Sequence, residues 1–377
     1  MIAEIEKALG DDFNGVVSIK TAGETIERTY GYRDIANEIP NNPQTRFGIA
    51  SGSKAFTAVA ILKLIDQGRL SLNSTLGETL PDIDLGRIDP NITVEQLLTH
   101  TSGVGDYFDE EVMDDYAELW HDIPNYRIRS SADYPPLLTD KPMAFEPGAE
   151  FAYNNSGYVL LGLIIEAITG EPFDKFINEV VFQPAGMADS GYFELDKLPR
   201  NCAIGYVFAD ADDHGDEDDH GDGTDDAVGR NDADDEEATD WHTNIYSIEA
   251  KGSGAGGGFT TASDMAKFWD ALLGGQLLST ASLEKMLSPQ HQDGIESYGT
   301  GVWLAALTDD ETGEVRYEPW LQGSDPGVSF ISSVDRNTGT TITVISNTSD
   351  DVWHAETFAF PVTEDDDEDS NDNDEQP

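Results

Sequence analysis

Residues 47–65 read FGIASGSKAFTAVAILKLI, and a helical pattern predicted for 51–67 begins at Ser51. The first turn of a helix leaves its backbone donors unpaired, and residues three apart share a helix face, so Lys54 lies beside Ser51. A lysine removed from water loses its proton more readily and can help to deprotonate a neighbouring hydroxyl. The spacing Ser-x-x-Lys therefore predicts an activated serine nucleophile. The alternative is that Ser51 only caps the helix.

The chain is strongly acidic. Its 377 residues carry a formal net charge of −53, with 16 acidic residues in segment 209–240 and 9 in segment 364–377. Without these two segments, 49 of the 74 acidic and 20 of the 21 basic residues remain, a balance of −29. Such a surface repels itself in dilute buffer and is screened by strong salt, which favours a halophilic protein over one that merely has acidic tails. Nucleic acid and anionic membranes, which attract basic patches, are not expected as partners.

Few features of the sequence point to an exported or metal-dependent protein. Cys202 is the only cysteine, so no internal disulfide can form, and we expect this side chain to pack rather than react. The N-terminus lacks the pattern of a secretory signal, and no apolar stretch reaches the ~20 residues that span a bilayer, so we expect a cytoplasmic protein. The repeat DDHGD at 212–216 and DDHGD at 218–222 lacks the EF-hand spacing. We therefore expect 209–240 to be a flexible acidic insertion without a metal site.

Strand signals lie at both ends of the chain and helical signals lie in the middle. Hairpins are predicted for 13–32 and 328–346. Helices are predicted for 94–99, 157–169, 174–181 and 263–273. This order is typical of the α+β class, an antiparallel sheet flanked by helices with an inserted helical region. We expect one domain over 1–363, followed by a disordered acidic tail at 364–377.

A second motif occurs in a loop marked by proline and glycine. Residues 145–158 read FEPGAEFAYNNSGY, in which Tyr153 and Asn155 can face one cleft. A phenol near a lysine can act as a base, and an amide can orient the lysine and a substrate carbonyl. The alternative is that Tyr153 is a loop aromatic that packs on the following helix.

Together, these motifs resemble the serine β-lactamase-related family, which includes class C β-lactamases, low-molecular-weight penicillin-binding proteins, family VIII-type esterases and D-aminopeptidases. The matching pieces are FGIASGSK at 47–54, LLTHTSGV at 97–104, PG through YNNSGY at 147–158, GM at 186–187 and GGGFTTASDM at 256–265. The resemblance covers about residues 13–347 and implies a β-lactamase/transpeptidase-like fold.

The resemblance also implies roles for individual residues. Ser51 would be the acylated nucleophile, Lys54 and Tyr153 would share the general-base and general-acid work, and Asn155 would position the carbonyl. No metal or organic cofactor is implied. By the same resemblance, His100, in the motif at 97–104, is interpreted as a structural turn or hydrogen-bonding residue rather than a catalytic base.

The third family motif departs from the usual pattern. A strand normally carries Lys-Thr-Gly or His-x-Gly beside the nucleophile, and the best match here is Leu321-Gln322-Gly323. Gly323 lets the strand approach the substrate closely, and the Ser324 backbone N–H can join that of Ser51 in an oxyanion hole. Leu321 stands at the cationic position, which argues against substrates that carry a carboxylate.

The sequence therefore predicts a serine hydrolase that cleaves an ester or amide of a small-molecule or short-peptide substrate through an acyl-enzyme on Ser51. One alternative is a D-amino-acid peptidase or amidase, or a weak β-lactamase. Another is a non-catalytic ligand-binding pseudoenzyme that keeps Ser51 without turnover. The sequence leaves the oligomeric state open.

Overall fold

The computed structural model describes residues 1–108, 113, 116–208, 241–293, 296–308, 312–313, 315–349, 351–355 and 358. The predicted acidic insertion at 209–240 and the predicted tail at 364–377 lie outside the described residues, so what we expect of them stays a prediction.

An eight-stranded antiparallel sheet forms the central layer, in the order β2-β1-β14-β13-β12-β11-β10-β9. The first strand pairs with the last, with Gly15 opposite Ser346, so the two ends of the chain meet inside the sheet. The strands of this sheet are β1 (Gly15–Lys20), β2 (Thr25–Thr29), β9 (His291–Asp293), β10 (Glu296–Tyr298), β11 (Trp303–Thr308), β12 (Val315–Asp325), β13 (Val328–Val334) and β14 (Thr341–Ser346).

Three two-stranded pairs lie outside the large sheet. They are β3 (Tyr32–Asp34) with β4 (Ile39–Pro40), β5 (Phe47–Gly48) with β8 (Phe259–Thr260), and β6 (Tyr206–Phe208) with β7 (Trp241–Thr243). The second pair positions the site, because β5 leads directly into the turn that carries Ser51.

The helices come mainly from the middle of the chain, between β2 and β9. The α-helices are α1 (Ile2–Leu9), α2 (Lys54–Asp66), α3 (Leu76–Thr79), α4 (Val94–Leu98), α5 (Pro135–Leu138), α6 (Asn155–Thr169), α7 (Phe173–Ile177), α8 (Gln183–Ala185), α9 (Ala262–Leu273) and α10 (Thr280–Met286). The 3₁₀ turns are Ala50–Ser53, Tyr116–Trp120, Asn125–Arg127, Ser131–Asp133, Leu195–Lys197, Asn244–Tyr246 and Trp353–Ala355, and Asn178–Phe182 is a π-helical turn.

Two buried helices form the centre of the helical layer. Residues 54–62 of α2 and 156–165 of α6 are all buried, and the two helices pack against one another. A helix that is apolar on every side is stable only inside a protein, so this composition places α2 and α6 in the core. Lys54, the first residue of α2, is consequently buried, and Asn155, the first residue of α6, is half-buried.

Both faces of the large sheet are covered. Side chains alternate along a strand, so Leu321 and Phe330 face the helical core around α2, whereas Trp320 and Ile331 face a second core that includes α1. No helix in the part of the chain that the structure describes is both long and apolar enough to span a membrane.

The α+β prediction and the β-lactamase/transpeptidase-like fold are confirmed, and two helix boundaries are corrected. The α-helix predicted to start at Ser51 starts at Lys54, because residues 50–53 wind more tightly as a 3₁₀ turn. The helix predicted to start at Ser263 starts at Ala262 and is capped by the Thr261 hydroxyl, which accepts a hydrogen bond from the Asp264 N–H at 3.1 Å.

Candidate active site

Ser51 lies in a strained turn between β5 and α2. The residue before it, Ala50, has a φ of +42°, a left-handed conformation that is costly for a residue with a side chain. Strand β12 presses on the same turn: a Cβ added to Gly323 would lie 3.0 Å from the Ser51 nitrogen and 2.2 Å from the Ile49 carbonyl oxygen. The turn therefore needs both its strained residue and a glycine on the neighbouring strand.

Lys54 is buried and contacts three oxygen atoms. The residue is only 2% exposed. Its Nζ lies 2.8 Å from Ser51 Oγ, 2.7 Å from Asn155 Oδ1 and 2.7 Å from the Ala255 carbonyl oxygen. Three acceptors match the three N–H donors of an ammonium group. Among the described residues, no carboxylate lies within ion-pair distance of this nitrogen.

Asn155 is the first residue of α6, and a half-buried acid, Asp106, holds it in place. Asp106 Oδ2 accepts hydrogen bonds from the Asn155 backbone N–H at 2.8 Å and from Asn155 Nδ2 at 3.2 Å. Because the amide nitrogen is engaged by Asp106, the amide oxygen points to Lys54. The helix is capped by the Asn154 side chain, which accepts from the Gly157 N–H at 2.7 Å.

Asp106 is part of this hydrogen-bond network, and sequence reasoning missed it. Its other oxygen accepts from the Ser156 N–H at 3.0 Å, so the carboxylate sits on the positive end of α6. Burial raises the pKa of Asp106, while the N–H donors of Asn155 and Ser156 act against that rise. The only sequence signal is its place, shortly after the motif that contains His100.

Tyr153 lies in the same cleft but meets Lys54 through its ring. The Lys54 nitrogen is 4.8 Å from the centroid of the Tyr153 ring. The Trp303 ring stacks on the Tyr153 ring, with the two centroids 6.0 Å apart. Within the described part of the chain, the Tyr153 hydroxyl makes no hydrogen bond to Ser51 or Lys54. Tyr153 therefore lies in the cleft close to Lys54, and the residue is 36% exposed.

His100 is buried behind Tyr153 and shapes its loop. Its backbone carbonyl accepts from the Ala152 N–H at 3.0 Å, and its Nδ1 accepts from the Asn154 N–H at 3.0 Å. Burial, together with the charge of Lys54, holds the pKa of His100 well below its usual value. A neutral ring that accepts a backbone hydrogen bond orients the loop between α4 and α6.

The third motif lies on β12 beside Ser51. Leu321 is buried in the helical core, and Ser324 is exposed on the cleft. Gly323 lies between them at the contact with the Ser51 turn. The strand thus approaches Ser51 as expected, without a basic side chain at the position of Leu321.

The cleft has a volume of about 320 Å³. Its lining includes Ser51, Tyr153, Asn155 and Ser324, together with two acids and further aromatic residues that the sequence did not single out: Tyr107, Phe108, Tyr116, Glu249 and Asp325. In the described ranges, no group of three or more His, Cys, Asp or Glu side chains is placed to hold a metal ion.

A second cavity of about 430 Å³ adjoins the cleft, and both are lined by Glu249 and Asp325. Cys202 lies in its wall. Burial raises the pKa of this thiol to about 11, as expected for a packed side chain without a neighbouring base.

Comparisons with known proteins agree with this fold. Putative penicillin-binding protein PbpX of Bacillus subtilis (strain 168) is 27% identical over 336 residues, which cover 89% of this chain and 71% of that protein. Several other curated relatives are matched over only 37% of their length.

Two solved structures are also similar. A penicillin-binding protein from Bacillus halodurans has 36% sequence identity and a TM-score of 0.80, with 95% of this chain and 98% of that chain covered. A D-amino acid amidase from Ochrobactrum anthropi SV3, complexed with D-phenylalanine, has 26% identity and a TM-score of 0.67, with 92% and 91% covered. The sequence profile of the beta-lactamase family matches residues 2–357. The chain therefore belongs to the beta-lactamase family of serine hydrolases.

Proposed function

We propose that the chain hydrolyses an ester or amide through an acyl-enzyme formed on Ser51. The observation that carries this proposal is the 2.8 Å contact between Lys54 Nζ and Ser51 Oγ, made in the interior at the foot of an open cleft. A nucleophile and a base within hydrogen-bonding distance, with the base oriented by a third group, form the minimal arrangement for acyl transfer. Asn155 is that third group.

The partners of Lys54 suit a base that gains and loses a proton. Two of them, the Asn155 amide oxygen and the Ala255 carbonyl oxygen, can only accept hydrogen bonds, whereas the Ser51 hydroxyl can accept or donate. A neutral amine keeps two N–H donors for those two oxygens and directs its lone pair at the hydroxyl. Lys54 can therefore take the proton of Ser51 without breaking either of its other hydrogen bonds.

Tyr153 is proposed to carry the proton to the leaving group. It lines the cleft on the side of Lys54, where its ring contacts the amine and its phenol is open to substrate. Catalytic hydrogen bonds are often loose before substrate binds, so the missing contact with Ser51 is compatible with this role. Water would then attack the acyl group, with the same residues acting in reverse.

The oxyanion of the tetrahedral intermediate is proposed to lie between the backbone N–H groups of Ser51 and Ser324. The first belongs to a 3₁₀ turn whose early donors lack intrahelical partners. The second follows Gly323, whose missing side chain allows β12 to approach the turn. Fixed donors of this kind stabilise charge that appears only during reaction.

Substrates without a carboxylate fit the cleft best, because Leu321 is buried and no lysine or arginine is among the described lining residues. Small esters and amides are therefore the leading substrates. A D-amino-acid amidase is the second candidate, favoured by the similarity to the Ochrobactrum enzyme. Efficient β-lactam hydrolysis is less consistent with the cleft, since these substrates carry a carboxylate.

The test is hydrolysis of a short-chain p-nitrophenyl ester in molar KCl by the wild type and by Ser51→Ala. The matched control is Ser288→Ala, which removes an exposed serine outside the cleft. We expect turnover that is lost only in Ser51→Ala. Equal turnover in all three proteins would overturn the proposal. Acylation of Ser51 in a single cycle, detected by mass spectrometry without release, would instead identify a ligand-binding pseudoenzyme.

A further inference from the structure

The lining of the cleft is rich in acids and aromatic rings. Glu249 and Asp325 supply two carboxyl groups, and the aromatic side chains are Tyr107, Phe108, Tyr116 and Tyr153. The described lining residues contain neither lysine nor arginine, and Lys54 lies below the surface of the cleft with its donors engaged. This wall repels anions and attracts cations.

Glu249 is a buried acid without an ion-pair partner among the described residues. The residue is 7% exposed, and its Oε2 accepts a hydrogen bond from the Tyr116 hydroxyl at 3.4 Å, a long contact. In the described part of the chain, no basic side chain lies within ion-pair distance of its carboxylate. Burial raises the pKa of Glu249, while its own backbone N–H, the Tyr134 and Tyr116 hydroxyls and the charge of Lys54 act against that rise.

A neighbouring hydroxyl is also poorly satisfied. Tyr134 is fully buried, and its oxygen lacks a hydrogen-bond partner of good geometry. It packs edge-on against Tyr107 in the cleft wall, with ring centroids 5.7 Å apart. Buried polar groups are normally well paired, and the donors of Glu249 include one long and one poorly aligned hydroxyl, so its carboxylate keeps acceptor capacity for a polar ligand in the adjoining cleft.

A run of glycines lies between Glu249 and Ser51. A Cβ added to Gly257 would be 3.6 Å from Glu249 Oε1, and one added to Gly256 would be 3.6 Å from the Ser51 nitrogen. The carboxylate is therefore separated from the Ser51 turn by little more than this glycine backbone. A group bound by Glu249 would lie near the carbonyl that Ser51 attacks.

We propose that Glu249 binds an ammonium group in the acyl part of the substrate, close to the scissile carbonyl. This inference rests on the function proposed above and specifies its substrate class. A carboxylate supplies the opposite charge, and the rings of Phe108 and Tyr116, whose centroids are 4.5 Å apart, provide the aromatic surface that ammonium groups favour. Leu321 fits the same charge preference. Because this position carries no basic side chain, the cleft discriminates against anionic substrates and in favour of cationic ones.

The test compares two substrates that differ only in the amino group: phenylalanine p-nitroanilide, in both enantiomers, and 3-phenylpropionyl p-nitroanilide. The readout is the ratio of kcat/KM for the amine to that for the des-amino compound. We expect the wild type to favour one amine, and Glu249→Gln to lower the ratio about tenfold or more, because an ionic hydrogen bond is lost. The control Glu284→Gln removes an exposed acid outside the cleft lining and keeps the wild-type ratio.

An equal loss on both substrates in Glu249→Gln, or a wild type that prefers the des-amino compound, would overturn the proposal. If no substrate is hydrolysed, calorimetry with 2-phenylethylamine and 3-phenylpropionate separates the two ideas. Binding of the amine that is lost in Glu249→Gln supports the ammonium site while the hydrolase proposal fails, and absence of amine binding refutes the site. Glu249→Asp, which keeps the charge, serves as a second variant if Glu249→Gln does not fold by circular dichroism.

Discussion

Gly323→Ala is the substitution that best tests how the fold holds Ser51, the proposed nucleophile. The added Cβ would lie 2.2 Å from the Ile49 carbonyl oxygen, 2.9 Å from the Gly52 nitrogen and 3.0 Å from the Ser51 nitrogen. All three neighbours are backbone atoms, so no side-chain rotation relieves the contact. Strand β12 and the 3₁₀ turn of residues 50–53 must move apart.

The size of the movement follows from the shortest contact. Real Cβ atoms essentially never approach another atom within 3.0 Å, so the 2.2 Å contact requires a shift of at least 0.8 Å. A misplacement of about 1 Å at a catalytic group costs about 100-fold in rate. Overpacking of a tight interior contact also destabilises a fold by about 1–3 kcal/mol. Gly323→Ala is therefore expected to lose about 100-fold in kcat while it remains folded.

The assay is ester hydrolysis in molar KCl, with unfolding by denaturant followed by circular dichroism. Gly23→Ala is the matched control, since a Cβ there meets nothing within 4 Å. It should keep both kcat and the unfolding midpoint. Wild-type turnover in Gly323→Ala, with an unchanged midpoint, would refute the reasoning, because it would show that β12 does not press on the turn of Ser51.

Three further predictions concern the surroundings of Ser51. Lys54→Met keeps the length of the side chain without a base, and kcat should fall by about 10²–10⁴-fold; ester turnover close to that of the wild type would exclude Lys54 as the base. Asp106→Asn frees the Asn155 amide to rotate, so kcat should fall about tenfold or more with little change in KM. A change in KM alone would contradict the positioning role of Asp106. For His100, the pKa is lowered in the folded state, so the unfolded chain binds the extra proton and stability is lost as pH falls below about 6.5. As the pH falls from 8 to 5, the free energy of unfolding of the wild type should therefore decline relative to that of His100→Gln, by up to about 1.4 kcal/mol per pH unit. Parallel plots of unfolding free energy against pH for the two proteins would show that His100 titrates normally.

Local patterns in the sequence were sufficient for the fold class and for the order of the elements. The hairpin around residues 335–339 follows from alternation and turn residues, and β13 spans Val328–Val334 as predicted. The pairing of Ser51 with Lys54 is also local, because a single helical turn brings residues three apart together. Helix ends were less accurate, since the 3₁₀ turn at Ala50–Ser53 depends on the strand that presses against it.

Tertiary structure alone decided which side chains complete the site. Asp106 and Asn155 are 49 residues apart, and Lys54 and Ala255 are 201 residues apart, yet both pairs are in hydrogen-bonding contact. Neither pair leaves a periodic signal, because contacts across such separations depend on how helices and strands pack. The same holds for Glu249, whose nearness to Ser51 arises from glycine backbone that only the fold brings together. Sequence alone thus determined the nucleophile motif and the layers around it, whereas packing decided which buried groups surround the cleft and what charge they present to a substrate.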